Sequence, residues 1–365
     1  MSLRKIIFCI FPLFLLCTSF VYGVVIPDSI IIYPEDELRM RAKDKIIAKI
    51  KSAKISIKMS IYQIKEPDII EALCAQSTKG VRVDVICEET PYQHAFNKRI
   101  QETEGLLTKL LNANVHLHLR PENLKKHFPK GHYHARYIII DKDRFLLTTG
   151  NFDETTFDHA RDFCIIFSKE KNETIFNTLL QLFDRDISNQ TISDLNESPS
   201  LIIGPHGQRE KIIGFLSGAT KNIKMYQQFF NDPVIQDVIK KLMKEKGITV
   251  DVVMMAYPTN YHSDPNEKTQ DDLEKSGVDI RLMDHLYAHA RAIIIDDKHA
   301  LIGTTQLSPP SLDENREISI IIEGDVVKKL INQFKYDQVR AQSITIGRAR
   351  ALQKKCDWGK LKLFR

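Results

Sequence analysis

Cysteine is scarce in this chain, and none of it is spaced for a metal. Of six cysteines in 365 residues, Cys9 and Cys17 lie in an N-terminal apolar run. Cys74, Cys87, Cys164 and Cys356 remain, scattered too widely for a zinc motif. Those four permit three full disulfide pairings, with buried free thiols as the expectation. A strong excess of one charge is also missing. A net charge of +5, with 27% charged residues, fits phosphate-bearing partners and excludes a histone-like chain. With 43% hydrophobic residues the disordered and fibrous classes are excluded, and the length suffices for one large domain or two medium ones.

Long apolar runs are nearly absent. In the single exception, Arg4 and Lys5 precede Ile6 to Val21, and Val21-Tyr22-Gly23 offers a cleavage point. This is the order of a secretory signal peptide, assigned to residues 1–23. Pro12 and the modest length of the run argue against a permanent span, an uncleaved anchor being the alternative. Leu16 in front of Cys17 argues against a lipoprotein. The mature protein is therefore expected to be exported, either periplasmic or secreted.

What is present is a duplication. Ala53-Lys54-Ile55-Ser56-Ile57-Lys58-Met59 is echoed by Ala219-Thr220-Lys221-Asn222-Ile223-Lys224-Met225, and Lys79-Gly80-Val81-Arg82-Val83-Asp84-Val85 by Lys246-Gly247-Ile248-Thr249-Val250-Asp251-Val252. His134-Ala135-Arg136-Tyr137-Ile138-Ile139-Ile140-Asp141 returns as His289-Ala290-Arg291-Ala292-Ile293-Ile294-Ile295-Asp296. Strand patterns at 55–61 and 81–87 flank a predicted helix at 67–76 that has Pro in its first turn. Strand–helix–strand order predicts an α/β sandwich with a largely buried sheet. The expected organisation is an N-terminal half at 24–187, a polar linker at 188–200 and a C-terminal half at 201–365. The first half carries extra residues before His134. Part of that surplus, 121–131, reads as a loop containing Lys125, Lys126, His127 and Lys130.

Four polar positions recur at identical offsets. Starting from His134, steps of 2, 7, 17 and 28 residues reach Arg136, Asp141, Asn151 and Asp162; from His289 the same steps reach Arg291, Asp296, Gln306 and Glu317. Repeated core structure accounts for the isoleucines but not for these polar residues. On a strand, His and Arg at i and i+2 share a face. Two pseudo-symmetric halves then bring two imidazoles and two guanidiniums to one cleft, which suits a phosphate diester. One imidazole is able to attack phosphorus while the other protonates the leaving alkoxide. This chemistry calls for no metal and no cofactor.

These motifs resemble the phospholipase D superfamily, whose signature is His-x-Lys-x4-Asp followed by Gly-Ser/Thr-x-Asn. Thr148-Thr149-Gly150-Asn151-Phe152-Asp153 and Gly303-Thr304-Thr305-Gln306-Leu307-Ser308 look like the two copies of its second segment. The similarity spans nearly the whole chain after residue 23. It implies a duplicated phospholipase D-like α/β sandwich, two pseudo-symmetric lobes with one active site at their interface. It also implies a phosphohistidine on His134, with His289 as general acid. Arg136, Arg291, Asn151 and Gln306 would bind phosphate, and Asp162 and Glu317 would each orient a histidine across the interface. Asp141 and Asp296 match positions that are more structural. The sequence departs from the family in three ways: Arg stands for Lys twice, Thr148 for Gly, and Gln306 for Asn.

Other features are less specific. His116 and His118 share a strand face, read as exposed, with a metal pair as the alternative. His132 and Tyr133 read as lining the cleft mouth or as edge packing. The stretch from Arg348 to Arg365 reads as a solvated helix and tail, with anionic lipid or nucleic acid as the sharper reading. The expected activity is hydrolysis or transphosphatidylation of a phospholipid at a membrane surface, with no stable protein partner implied. A secreted endonuclease and a degenerate phosphate-binding module are the alternatives.

Overall fold

The structure is a computed structural model that describes residues 23–34, 41–89, 97–192, 194–195, 198–257 and 264–353. The expected signal peptide therefore lies, apart from Gly23, outside the described residues, as do Cys356 and the tail beyond 353. No helix among the described residues is long and apolar enough to cross a membrane.

The first half supplies strands β1 (Ser29–Tyr33), β2 (Ser56–Ile61), β3 (Arg82–Cys87), β4 (His116–Leu119), β5 (Tyr137–Ile140), β6 (Arg144–Thr148) and β7 (Ala160–Ser168). The second supplies β8 (Leu201–Ile203), β9 (Asn222–Tyr226), β10 (Thr249–Met255), β11 (Asp279–Met283), β12 (Tyr287–Ala288), β13 (Ala292–Ile295), β14 (His299–Gly303), β15 (Ile318–Ile322) and β16 (Gln342–Ser343). One sheet runs β1-β7-β6-β5-β2-β3-β4, and the other runs β8-β15-β14-β13-β9-β10-β11-β16. Apart from β16, which extends the second sheet beyond β11, the two orders match strand for strand among the described residues, so the repeat seen in sequence is a repeat of topology. In both, two parallel crossovers (β2 to β3 to β4, and β9 to β10 to β11) join an antiparallel meander.

Each isoleucine triplet is buried on both faces of its sheet, the continuous apolar pattern of a doubly covered strand. Ile138 and Ile140 face an outer cluster with helices Ala42–Lys51 and Pro67–Thr78, whereas Ile139 faces inward. Ile293, Ile295 and Ile294 repeat that division in the second lobe. The inward faces of both sheets share one apolar cluster with helices Glu173–Ile187 and Asp325–Arg340. Leu179, Phe183, Leu330 and Phe334 are fully buried there. Such burial is worth about 1.5–3 kcal/mol per large side chain, so the interface of the lobes is itself a core.

Several boundaries are less clean than the sequence reading drew them. Val25 lies in a bridge with Ile322 of the second lobe, and β12 of the second half pairs with β7 of the first. Ile192 and Leu195, in the expected linker, are buried in the shared core. Residues 121–131 are not all loop, because Glu122–His127 forms a short helix with Glu in its first turn and basic residues in its last. Lys125 there is paired with Glu89 and Glu122. Cys74, Cys87 and Cys164 are free thiols, and burial raises those of Cys87 and Cys164 to about 12.

Candidate active site

Backbone pairing across the lobe interface builds the site. Just before the first motif, His134 N donates to Arg316 O and Arg316 N donates to His132 O, each at 2.9 Å. In the second copy Tyr287 and Ala288 pair with Ala160 and Arg161, and Ala290 N donates to Arg161 O at 2.8 Å. Each histidine segment therefore runs beside the other lobe's strand at the residue preceding its acid. That register places His134 Nδ1 at 2.7 Å from Glu317 Oε2 and His289 Nδ1 at 2.8 Å from Asp162 Oδ2. Both histidines and both acids are buried, the acids fully.

The two pairs differ electrostatically. Burial alone would raise Glu317, but His134, Thr304 and Ser311 hold it below the usual carboxylate range. Ser311 Oγ donates to Glu317 Oε1 at 2.7 Å and Asn315 Nδ2 at 3.1 Å. Asp162 has a single hydroxyl donor, Thr149 Oγ1 at 2.6 Å, and burial lifts it to about 7. Burial, with the Arg136 charge beside it, pushes the His134 imidazole down to about 3. Burial and then Arg291 and Arg136 push His289 well below its ordinary value.

His134 is thereby fixed as one tautomer. Its Nδ1–H donates to the Glu317 carboxylate, while Nε2 accepts from Arg136 Nη2 at 2.7 Å. Nε2 thus carries no proton, and its lone pair is held by the Arg136 N–H, a donor that the non-bridging oxygens of a phosphodiester would compete for. Arg136 also donates through Nε to Asn151 Oδ1 and through Nη1 to Thr149 O, each at 2.8 Å. Arg291 Nη1 reaches across the interface to the same Thr149 carbonyl at 2.9 Å, and Nη2 donates to Gln228 Oε1. Two buried guanidiniums thus meet at one carbonyl oxygen, and burial and Arg136 lower Arg291 to about 10. Among the described residues Arg291 Nε has no partner. Such crowding of cations is relieved by an anion.

Most of the sequence-predicted site residues meet here. His134, Arg136, His289, Arg291 and Gln306 line one cleft of about 360 Å³, with Tyr62, His132, Gln228, Ser311 and Asn315. Asn151 lies behind it, on Arg136. Gln306 departs from its Asn151 counterpart, since its amide donates to Gln228 Oε1 at 2.9 Å and its backbone N to Ser311 Oγ. Tyr133 does not line the mouth; it is fully buried, its hydroxyl donating to Asp186 at 3.1 Å. Asp141 and Asp296 stand apart from the cleft. Asp141 accepts from the backbone N–H groups of Lys54, Ile55 and Ser56, and Asp296 from those of Thr220, Lys221 and Asn222. His118 lies 3.3 Å from Asp84 and His116 is exposed; no metal-ligating cluster occurs among the described residues.

The family described as "Cardiolipin synthase, PLD-like domain" matches residues 46–187 and 212–338, one block in each lobe. The chain belongs to the phospholipase D superfamily. Among curated proteins, the major cardiolipin synthase ClsA of Bacillus subtilis (strain 168) is 23% identical over 335 residues, covering 82% of this chain and 67% of the relative. Among solved structures, phosphatidylserine synthase from Haemophilus influenzae Rd KW20 superimposes with a TM-score of 0.64 at 16% identity, covering 88% of each chain. Polyphosphate kinase from Porphyromonas gingivalis gives 0.61 at 16% identity; 90% of this chain spans 55% of that one. At these identities the solved structures show a shared fold, the phospholipase D fold with its duplicated sheet.

Several functional neighbours escaped the sequence reading. Thr149 and Thr304 recur 15 residues after their histidines, and Arg161 and Arg316 recur 27 after. The same offset comparison would have found them. Gln228 has no polar echo at the corresponding position, which Tyr62 occupies with its ring 5.0 Å from that of His134.

Proposed function

We propose that this phospholipase D superfamily protein is an exported enzyme that cleaves or exchanges the phosphodiester of a phospholipid. The observation that carries the reading is the unprotonated Nε2 of His134, backed by an ionised Glu317 and facing a guanidinium. In the first step His134 Nε2 bonds to phosphorus, the phosphorus–oxygen bond to the leaving group breaks, and that alkoxide takes a proton held by His289 and Asp162. In the second step an incoming water or alcohol returns its proton to that pair and attacks phosphorus. The phosphorus–nitrogen bond then breaks, and His134 is regenerated. Arg136 and Arg291 bind the non-bridging oxygens throughout, as fixed charge in a buried site.

Three further observations support a lipid substrate and export. A curated relative and a structural neighbour bear the names of phospholipid synthases, and an apolar run with a basic start opens the chain. The test is to incubate protein lacking residues 1–23 with phosphatidylcholine or phosphatidylglycerol vesicles and, separately, with plasmid DNA, beside His134→Ala. Headgroup release or exchange by the wild type alone is expected. Nicking of DNA without lipid turnover would replace this reading by the endonuclease. Phosphate binding without turnover of either substrate would replace it by the degenerate module. Export is tested by fractionating cells for a shortened chain outside the cytoplasm.

A further inference from the structure

Next to each catalytic acid stands an arginine that faces the other way. Successive residues of a strand project to opposite faces, so Asp162 reaches His289 while Arg161 turns to the second lobe's helix Asp325–Arg340. There it forms a two-pronged bridge with Asp337, Nε to Oδ2 at 2.8 Å and Nη2 to Oδ1 at 3.1 Å, and Nη1 donates to the carbonyl of Tyr33 at 3.0 Å. In the mirrored position Arg316, beside Glu317, donates through Nη2 to Asp186 on the first lobe's helix Glu173–Ile187 at 3.0 Å, and through Nη1 to Gly204 O. Tyrosines complete both carboxylates: Tyr226 on Asp337 at 2.7 Å and Tyr133, adjacent to His134, on Asp186 at 3.1 Å. All four charged residues are at most 3% exposed. Buried ion pairs are poor sources of net stability beside apolar packing, so their value here is sought in geometry.

We propose that these crossed Arg–Asp bridges are positioning devices, each serving one half-reaction: Arg316–Asp186 aligns Glu317 with the nucleophile His134, and Arg161–Asp337 aligns Asp162 with the proton donor His289. Each bridge ties the strand carrying an acid to the lobe carrying the histidine that the acid serves. A shift of one lobe against the other therefore lengthens the corresponding carboxylate–imidazole contact directly. The assignment of half-reactions rests on the roles given to the two histidines under Proposed function; the mechanical coupling does not.

The experiment compares Asp337→Asn and Asp186→Asn, which keep side-chain shape, with Arg161→Lys and Arg316→Lys. Two substrates are used: dihexanoyl phosphatidylcholine, whose alkoxide needs a proton to leave, and bis(p-nitrophenyl) phosphate, whose phenolate does not. Misplacement by about an ångström costs on the order of 10²-fold in kcat. Loss of the Arg316–Asp186 bridge should cost this in the rate of the first turnover, the release of the leaving group, on both substrates. Loss of Arg161–Asp337 should cost it in that step on the phosphatidylcholine alone, while the second step, in which the His289–Asp162 pair takes the proton of water, slows on both. Equal losses of the first-turnover rate from both bridges on both substrates, or full activity in folded variants, would overturn the proposal. Should the wild type turn over neither substrate, the functional reading fails and the coupling is still decided by NMR of ¹⁵N-histidine-labelled protein. The Nδ1–H resonance of His134 should be lost or shifted in Asp186→Asn alone and that of His289 in Asp337→Asn alone; unchanged resonances would refute it.

Discussion

At the scale of single residues, Asp162 and Glu317 occupy equivalent positions and carry different protons. Ser311 and Asn315 solvate Glu317, which stays ionised; beside its histidine, Asp162 has among the described residues only the Thr149 hydroxyl, and burial lifts it to about 7. The His289–Asp162 pair therefore holds one proton below neutrality and loses it above, whereas His134 stays neutral down to about 3. The sign follows. kcat/KM for a diester with an alkoxide leaving group should be flat from mildly acidic pH to near 7 and fall as pH rises through about 7. Asp162→Asn should lower kcat on the order of 10²–10⁴-fold and remove that alkaline limb; a pH–rate profile of both proteins checks it. Arg136 makes three directed contacts that a lysine ammonium, with one charged nitrogen, is unable to reproduce together. Arg136→Lys should therefore raise KM and lower kcat, even though lysine is the residue of the family signature.

Among the secondary elements, the motif aspartates do work that the sequence pattern left open. Asp141 and Asp296 both have positive φ, 53° and 54°, and each gathers three backbone N–H groups at the start of β2 or β9. Asp141→Ala should destabilise the protein by about 2 kcal/mol in urea unfolding and leave kcat per folded molecule unchanged. The Thr148 departure from the family is also local. Thr148 Oγ1 shares a hydrogen bond with Tyr33 at 2.5 Å, whereas a Cβ at its counterpart Gly303 would lie 2.1 Å from Ile318 O. Gly303→Thr should thus lower Tm by several degrees, as expected for about 2 kcal/mol in a domain of this size. Strands β2, β3, β5 and β13 were legible because apolar alternation and β-branched runs mark them. The helix at Glu122–His127 was not, since six residues with one buried apolar side chain, Leu124, carry no helical period.

For the whole molecule, the duplication was the informative signal, since identical offsets implied identical topology and a composite site. The four histidine and acid positions found by offset are brought together as two pairs across the lobe interface. What stayed hidden were contacts without an echo. Gln228 joins Arg291, Gln306 and Tyr287 from a position where the first lobe has Tyr62. The ties of Arg161 to Asp337 and Arg316 to Asp186 link segments far apart in sequence. The halves also interlock more than the expected boundaries allowed, with Val25 against β15 and β12 against β7. Separate expression of the halves should accordingly yield no stable lobe, because each would expose its share of the common core; circular dichroism and unfolding of the separate pieces check this.

The central claim is that one composite site performs covalent phosphodiester chemistry on His134. Its most direct measurement is acid-avoiding quench of the protein during turnover of bis(p-nitrophenyl) phosphate, followed by peptide mass spectrometry. A phosphoryl ester adduct on His134, absent in His134→Ala and accumulating with a burst of p-nitrophenolate, is the predicted result. An adduct on His289 with His134 unmodified, or steady turnover by His134→Ala, would contradict it.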